Sequence, residues 1–363
     1  MIPNRSDRIT VTHSIAPDHH HSSAPRDVDN ALEAKGVRRR TVLAGGAAAL
    51  AAEVPGWARA ASGVRLGVLQ FGTVQWVGDV IQRHGLDSAH GFALATVTLA
   101  NNDAGRVALM ASAADVVVTD WMFVAGQRAA GTKLCFAPFS GSTGSIMVAT
   151  SSPIRSLADL AHRKLGVAGG SVDKSWLIVR AAAKASAGID LSDAAEVVYG
   201  APPLLNAKLM QGELDAVLTF WNFAARLEAA EYRQVISVDD CARGLGLPAA
   251  MSLVGFVFHE DWATRNPDAI NGFLAAAAAA DDMLATSDPE WQLIRPLMNA
   301  PEDALFQRLK RRFVEGVSHP TAQAQERAAT QLFDVLLRTG GAQATSGLQQ
   351  LPPGIFWPTP THD

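Results

Sequence analysis

Five stretches of this chain place polar and aromatic residues directly after apolar runs of strand length. They are Gln70-Phe71-Gly72-Thr73-Val74-Gln75-Trp76, Thr119-Asp120-Trp121, Ser140–Ser145, Gly169-Gly170-Ser171-Val172-Asp173 with Trp176, and Trp221-Asn222. Residues of these types at strand ends suit binding. Tryptophan faces stack on flat rings and attract cations. Carboxylates balance a positive group, while hydroxyls and the free N–H groups of a helix start hold acceptors. The candidate ligand contacts are therefore Gln70, Thr73, Asp120, Trp121, Ser142, Ser171, Asp173, Trp221 and Asn222.

Several of these residues have a second reading. Asp120 either balances a cationic ligand group or caps a helix that begins at Trp121. Asp173 falls in a first helical turn, where the helix dipole alone favours an acid. Trp176 lies one turn into its helix and is core or cleft, whereas Trp121 and Trp221 follow strands directly and are expected to face a ligand. Two carboxylates with no nearby Arg or Lys except Lys174 suit an amine-bearing solute or a flat polar heterocycle better than a small inorganic anion.

Catalytic and metal signatures are missing from the sequence. There is no GxSxG elbow, HExxH, CxxC or Walker loop. His84, His90, His162, His259, His319 and His362 are scattered singly. No catalytic residue, metal site or cofactor is expected.

The elements that must carry these residues alternate. Between Ser156 and Asp240 the apolar runs Lys164–Ala168, Ala194–Tyr199, Asp215–Phe220 and Arg233–Val238 alternate with helical stretches, the pattern of a parallel α/β sheet. A similar series precedes it: strands Val64–Leu69, Phe92–Leu99, Asp115–Thr119 and Lys133–Phe139, with helices between them. Ile146–Ala149 reads as a strand leaving this first lobe, with Thr150–Pro153 as the crossing. The chain returns around Cys241–Pro248, and Met251–His259 rejoins lobe one. From Asp261 onward it is helical, the final helix ending near Thr339, and Ile355-Phe356-Trp357 packs back on the surface.

Three motifs add a resemblance: Ser156-Leu157-Ala158-Asp159-Leu160, Lys164-Leu165-Gly166-Val167, and Ala207–Ala216 (AKLMQGELDA). In order and spacing they resemble the second lobe of type II periplasmic solute-binding proteins, the nitrate/sulfonate/taurine/thiamine-precursor (SsuA/THI5-like) family. The resemblance implies an α/β fold of two lobes with a two-segment hinge, the C-terminal helices packed on lobe one and a ligand between facing strand ends. It implies Ser171 as helix cap and anion donor at once. The corresponding division is 1–60 leader, 61–149 first part of lobe one, 150–243 lobe two, and 244–363 the return strand and C-terminal helices. The implied function is capture of a small organic solute by hinge closure, without chemistry, by a monomer that delivers it to ABC permease subunits. An exported enzyme on the same scaffold and an accessory protein that binds a protein partner are the alternatives.

The first 60 residues read as an export leader. Arg38-Arg39-Arg40-Thr41-Val42-Leu43 puts twin arginines ahead of the apolar run Val42–Ala52, and Ala58-Arg59-Ala60 supplies small residues for cleavage. The run is too short to span a bilayer, so a Tat-like signal cleaved near Ala60 and a soluble periplasmic product are expected. His19-His20-His21 falls in the polar part of this leader. Net charge is −4 over 363 residues and about −6 without the leader. A mildly acidic surface with no basic stripe speaks against nucleic acid as a partner. Two cysteines, Cys135 and Cys241, either pair in an oxidising compartment or stay as buried thiols.

Overall fold

The computed structural model describes residues 62–70, 72–248 and 251–358. The twin-arginine leader, the triple histidine, Phe71 and His362 lie outside the described residues. The first lobe opens with β1 (Ser62–Leu69), α1 (Val74–Arg83), α2 (Leu86–Ala89), β2 (Phe92–Leu99), α3 (Asn102–Met110), β3 (Val116–Asp120), α4 (Trp121–Ala129) and β4 (Leu134–Ser140). The second holds β5 (Ser145–Val148), β6 (Lys164–Ala168), α5 (Lys174–Ala187), α6 (Leu191–Ala194), β7 (Glu196–Gly200), α7 (Pro202–Met210), β8 (Ala216–Thr219), α8 (Trp221–Ala229), β9 (Arg233–Ser237) and α9 (Val238–Gly244). β10 (Val254–His259) then precedes α10 (Glu260–Arg265), α11 (Pro267–Thr286), α12 (Asp288–Met298), α13 (Asp303–Glu315) and α14 (Ala322–Ala344).

The two sheets are built alike. Their strand orders are β2-β1-β3-β10-β4 and β7-β6-β8-β5-β9. In each, the first three strands run parallel and an antiparallel strand enters fourth: β10 pairs with β3 and β4, and β5 pairs with β8 and β9. Central runs such as Val116-Val117 and Val217-Leu218 are buried, as a sheet covered on both faces requires.

This topology moves the first crossing. Ile146 and Met147 pair with Leu218 and Val217 of β8, so β5 belongs to the second sheet. The chain leaves lobe one through 141–144, ahead of the expected Thr150–Pro153. Gly144 lies in that crossing, where an added Cβ would overlap the Thr219 carbonyl, so only glycine lets the two backbones approach so closely.

The C-terminal helices also depart from expectation. α11 and α12 cover lobe one against β1 and α1, but α13 packs on α8 and α14 on α5, both elements of lobe two. The sequence marks these helices by their periodicity, yet an amphipathic face does not name the face that receives it. Gly341, at φ 60°, breaks the end of α14, close to the expected stop. The tail returns as anticipated: Ile355 is buried, the Phe136 N–H donates to its carbonyl (2.7 Å), and the Trp357 N–H donates to the Phe136 carbonyl (2.8 Å). One apolar cluster joins Trp121 and Phe136 of lobe one to Leu165, Trp176 and Leu218 of lobe two and to Leu332 and Leu336 of α14. Among the described residues no helix is long and apolar enough to cross a membrane.

Candidate functional site

The carboxyl ends of β1 and β3 in one sheet meet those of β8 and β6 in the other. Asp120 closes β3 and Lys174 opens the helix after β6. The Lys174 Nζ lies 2.9 Å from Asp120 Oδ2, with side chains 9% and 7% exposed. Trp76, in the first turn after β1, meets Trp221, directly after β8, edge to face with centroids 6.2 Å apart. Phe313 of α13 and Trp291 of α12 complete that aromatic group.

Asp120 satisfies both of its readings within the protein. Its Oδ1 accepts the Phe123 N–H at 2.7 Å, the N-cap bond of α4. Its Oδ2 accepts from Arg106 at 2.7 Å and faces Lys174. Arg106 reaches it from α3, also donating to Thr119 Oγ1 at 3.3 Å with its guanidinium 4.8 Å from the Phe123 ring centroid. Burial on its own would raise the Asp120 carboxyl; Lys174 and Arg106 outweigh it and hold the group below the usual carboxylate range. The sequence argument overlooked Arg106, fourteen residues upstream, so the expected free counter-charge for a cationic ligand is already neutralised.

Across the cleft, Gly169 and Gly170 take φ values of 90° and 99° and turn the chain from β6 into α5. The cap is Asp173, whose Oδ1 accepts the N–H groups of Ser175 (2.9 Å) and Trp176 (3.4 Å). An added Cβ on Gly169 would fall 2.5 Å from Asp173 Oδ2, so the carboxylate folds over this glycine. Burial pushes Asp173 up; Lys174 counteracts, and the Asp120 charge adds to the rise. Ser171 is exposed in the preceding turn and is not the cap, because the helix begins two residues later than its position required.

The tryptophans are deeper than expected. Trp121 and Trp176 are fully buried in the shared apolar cluster, and Trp221 is half-buried. The indole N–H groups of Trp76, Trp121 and Trp176 and the hydroxyl of Thr219, at the end of β8, are buried with no hydrogen-bond partner. Each such group costs about 1–3 kcal/mol. Thr219 ends β8, Trp121 directly follows β3, and Trp76 and Trp176 lie in the first turns of the helices that follow β1 and β6. Asn222 is buried beside Trp221.

Other candidates are engaged or peripheral. Ser142 donates its hydroxyl to the Arg312 carbonyl of α13 at 3.1 Å, tying the first crossing to that helix. Gln70 is exposed and donates its backbone N–H to the Leu99 carbonyl. Thr73 precedes α1 without a side-chain cap bond. A cavity of about 10 Å³ beside the crossings, lined by Thr143, Ile178, Val238, Asp239, Met251 and Leu253 among others, has room for one water. Cys135 and Cys241 are both free and buried, one in each lobe. Among the described residues no group of three or more His, Cys, Asp or Glu side chains is placed to hold a metal.

A family model described as NMT1/THI5 like matches residues 82–290, from the first lobe through the second. Solved structures agree in fold. The periplasmic aliphatic sulphonate binding protein SsuA from Escherichia coli is 18% identical with a TM-score of 0.64, covering 83% of this chain and 94% of that one. The alkanesulfonate-binding protein SsuA from Xanthomonas axonopodis pv. citri, bound to MOPS, is 17% identical with a TM-score of 0.60, covering 82% and 98%. The periplasmic nitrate-binding protein NrtA from Synechocystis PCC 6803 is 14% identical with a TM-score of 0.55, covering 80% and 91%. At such identities the likeness is one of fold. No curated protein sequence matches the chain.

Proposed function

The chain belongs to the NMT1/THI5-like family, and from that premise we propose that it captures a small organic solute between its lobes and presents it to the permease of an ABC importer. One observation carries the reading: the strand ends of the two sheets meet in pairs, Asp120 with Lys174 and Trp76 with Trp221. Ligands of open α/β sheets sit outside the carboxyl ends of the strands. Here two such edges face each other across two chain crossings, the arrangement that lets lobes close on a solute as rigid bodies. A solute that touches both lobes only when they are closed shifts the open–closed equilibrium by its differential affinity. The protein acts as a monomer, performs no reaction, and works in the periplasm after export by the Tat-like leader.

In this reading Asp120, Trp121, Asp173, Trp221 and Asn222 frame the cleft, with Arg106 and Lys174 added, and Gln70, Thr73 and Ser171 stand at its rim. Ser142 serves the crossing instead. The added cations and the unpartnered indole N–H groups favour a solute rich in acceptors, so an amine is no longer the preferred class.

Native mass spectrometry of the mature protein, followed by denaturation, tests the reading. A carried small molecule that Trp221→Ala releases supports capture. The buried rings of Trp76, Trp121 and Trp176 where the strand ends meet favour one second reading, an accessory protein whose lobes dock a protein partner. An empty protein with no thermal shift on adding amines, pyrimidines, sulfonates or nitrate selects that reading over capture.

A further inference from the structure

We propose that Asp120 is an internal competitor for the cation of the cleft: a solute enters by taking the place of its carboxylate on Lys174. The inference rests on the capture reading, and its core is the contact between Lys174 Nζ and Asp120 Oδ2.

The pair is asymmetric. Without Lys174, Asp120 keeps the Arg106 guanidinium at 2.7 Å and the Phe123 N–H at 2.7 Å, so its charge stays compensated. Lys174 has no second ion-pair partner among the described residues, and its ammonium offers three donors. The Asp120 carboxylate can therefore let go at little cost, while the buried ammonium must find a replacement acceptor. Asp173, next to Lys174, is spent on capping α5 and is pushed toward its neutral form by burial.

The surroundings select the replacement. The indole N–H groups of Trp121, next to Asp120, and of Trp176, two residues after Lys174, are buried donors without acceptors. An entering group satisfies them only if it is itself an acceptor, and it satisfies Lys174 best if it is anionic. Asp120 and Lys174 come from different lobes, so their bond bridges the cleft as a solute would. The bond thus favours closure and sets a threshold that weak acceptors do not pass.

The test uses the mature protein with Asp120→Asn, Lys174→Met and, as a control at an exposed carboxylate outside the cleft, Glu315→Gln. Asp120→Asn keeps the acceptor that caps α4, and Lys174→Met leaves Asp120 paired with Arg106, so at least one folds. Spin labels on cysteines placed at Asp103 and Glu213, exposed positions in the two lobes, report the interlobe distance without solute. The first two variants are expected to raise the open:closed ratio about tenfold or more, while Glu315→Gln keeps the wild-type distribution. Methanesulfonate and ethylammonium are then titrated as anionic and cationic probes. Asp120→Asn should bind methanesulfonate about tenfold more tightly than wild type, Lys174→Met should lose it, and ethylammonium should gain nothing. Unchanged distances together with unchanged methanesulfonate affinity in Asp120→Asn overturn the competition while leaving capture standing. Opening of the lobes with neither probe nor any carried molecule bound overturns capture, and leaves the bond only as a clasp between lobes.

Discussion

Gln325, in the first turns of α14, and Ser252, just ahead of β10, exchange two hydrogen bonds. The Ser252 N–H donates to Gln325 Oε1 at 3.0 Å and Gln325 Nε2 donates to the Ser252 carbonyl at 2.6 Å, with both residues at most 1% exposed. The side-chain amide replaces the backbone partner that the returning crossing lacks. Gln325→Ala leaves a buried donor and acceptor unpaired and is expected to lower stability by about 2–4 kcal/mol in urea unfolding. Ser252→Ala keeps both bonds and removes a buried hydroxyl that has no partner. It should match or slightly exceed wild type, and a large loss there would show that the hydroxyl, not the backbone, is what Gln325 serves.

Asp281 sits on the buried side of α11, 4% exposed, with Oδ1 unpartnered. Burial, aided by the Asp282 charge, pushes its carboxyl well above the usual range. The folded state therefore holds this proton more tightly than the unfolded chain. Its contribution is greatest below the unfolded carboxylate value and is lost as pH rises through the folded one. Asp281→Asn is expected to raise Tm at pH 7.5 and to lose that advantage as the pH approaches ~4, the unfolded value. Thermal melts across that range check the sign, and an equal gain at both ends would assign the effect to something other than ionisation.

The sequence pattern located the strands well because buried parallel strands leave long apolar runs, as in Val116-Val117-Val118 and Lys164–Ala168. It did not show which sheet a run joins. Ile146–Ala149 reads the same in either lobe, and only its pairing with Leu218 and Val217 assigns it. The strand-end logic put Asp120, Asp173 and Trp221 at or just past strand ends, where the structure has them. It missed Arg106 because a long side chain reaches the site from the middle of α3, a position that carries no strand-end signal. It misplaced the cap on Ser171, where two consecutive glycines with positive φ lengthen the turn and pass the role to Asp173. Burial of Trp121 was equally illegible, because a large ring after a buried strand suits a cleft and a core alike.

Cys135 and Cys241 give a reactivity prediction. Burial pushes the Cys135 thiol up to about 11 and the Cys241 thiol up to about 12. Thiolate is the nucleophile, so at pH 8 fewer than about one thiol in a hundred is reactive even before access is considered. Native protein should take up almost no iodoacetamide over an hour, and both cysteines should be alkylated in 6 M guanidinium, the readout being intact mass. Rapid labelling of one site in the native state would mean that its lobe opens locally to solvent.

Glu228 of α8 faces two arginines of α13. Arg308 Nη1 lies 3.4 Å from its Oε2, Arg312 Nε lies 3.3 Å from the same atom, and Arg312 Nη2 pairs with Oε1. The clasp ties lobe two to α13, and α13 is tied to the first crossing: the Gly141 N–H donates to the Gly316 carbonyl at 2.9 Å, and the Ser142 hydroxyl donates to the Arg312 carbonyl. Glu228→Gln leaves two guanidinium groups facing each other without a counter-charge. Partial exposure of Arg308 lessens the penalty, so the expected loss is about 1–3 kcal/mol. The loss should shrink as salt screens the arginines. Gly316→Ala attacks the same junction by another route, since an added Cβ would overlap Ser142 Oγ. Denaturation at 50 and 500 mM NaCl separates the two: the Glu228→Gln deficit is expected to fall with salt and the Gly316→Ala deficit to stay. A salt-independent Glu228→Gln deficit would mean that the carboxylate acts through packing rather than charge.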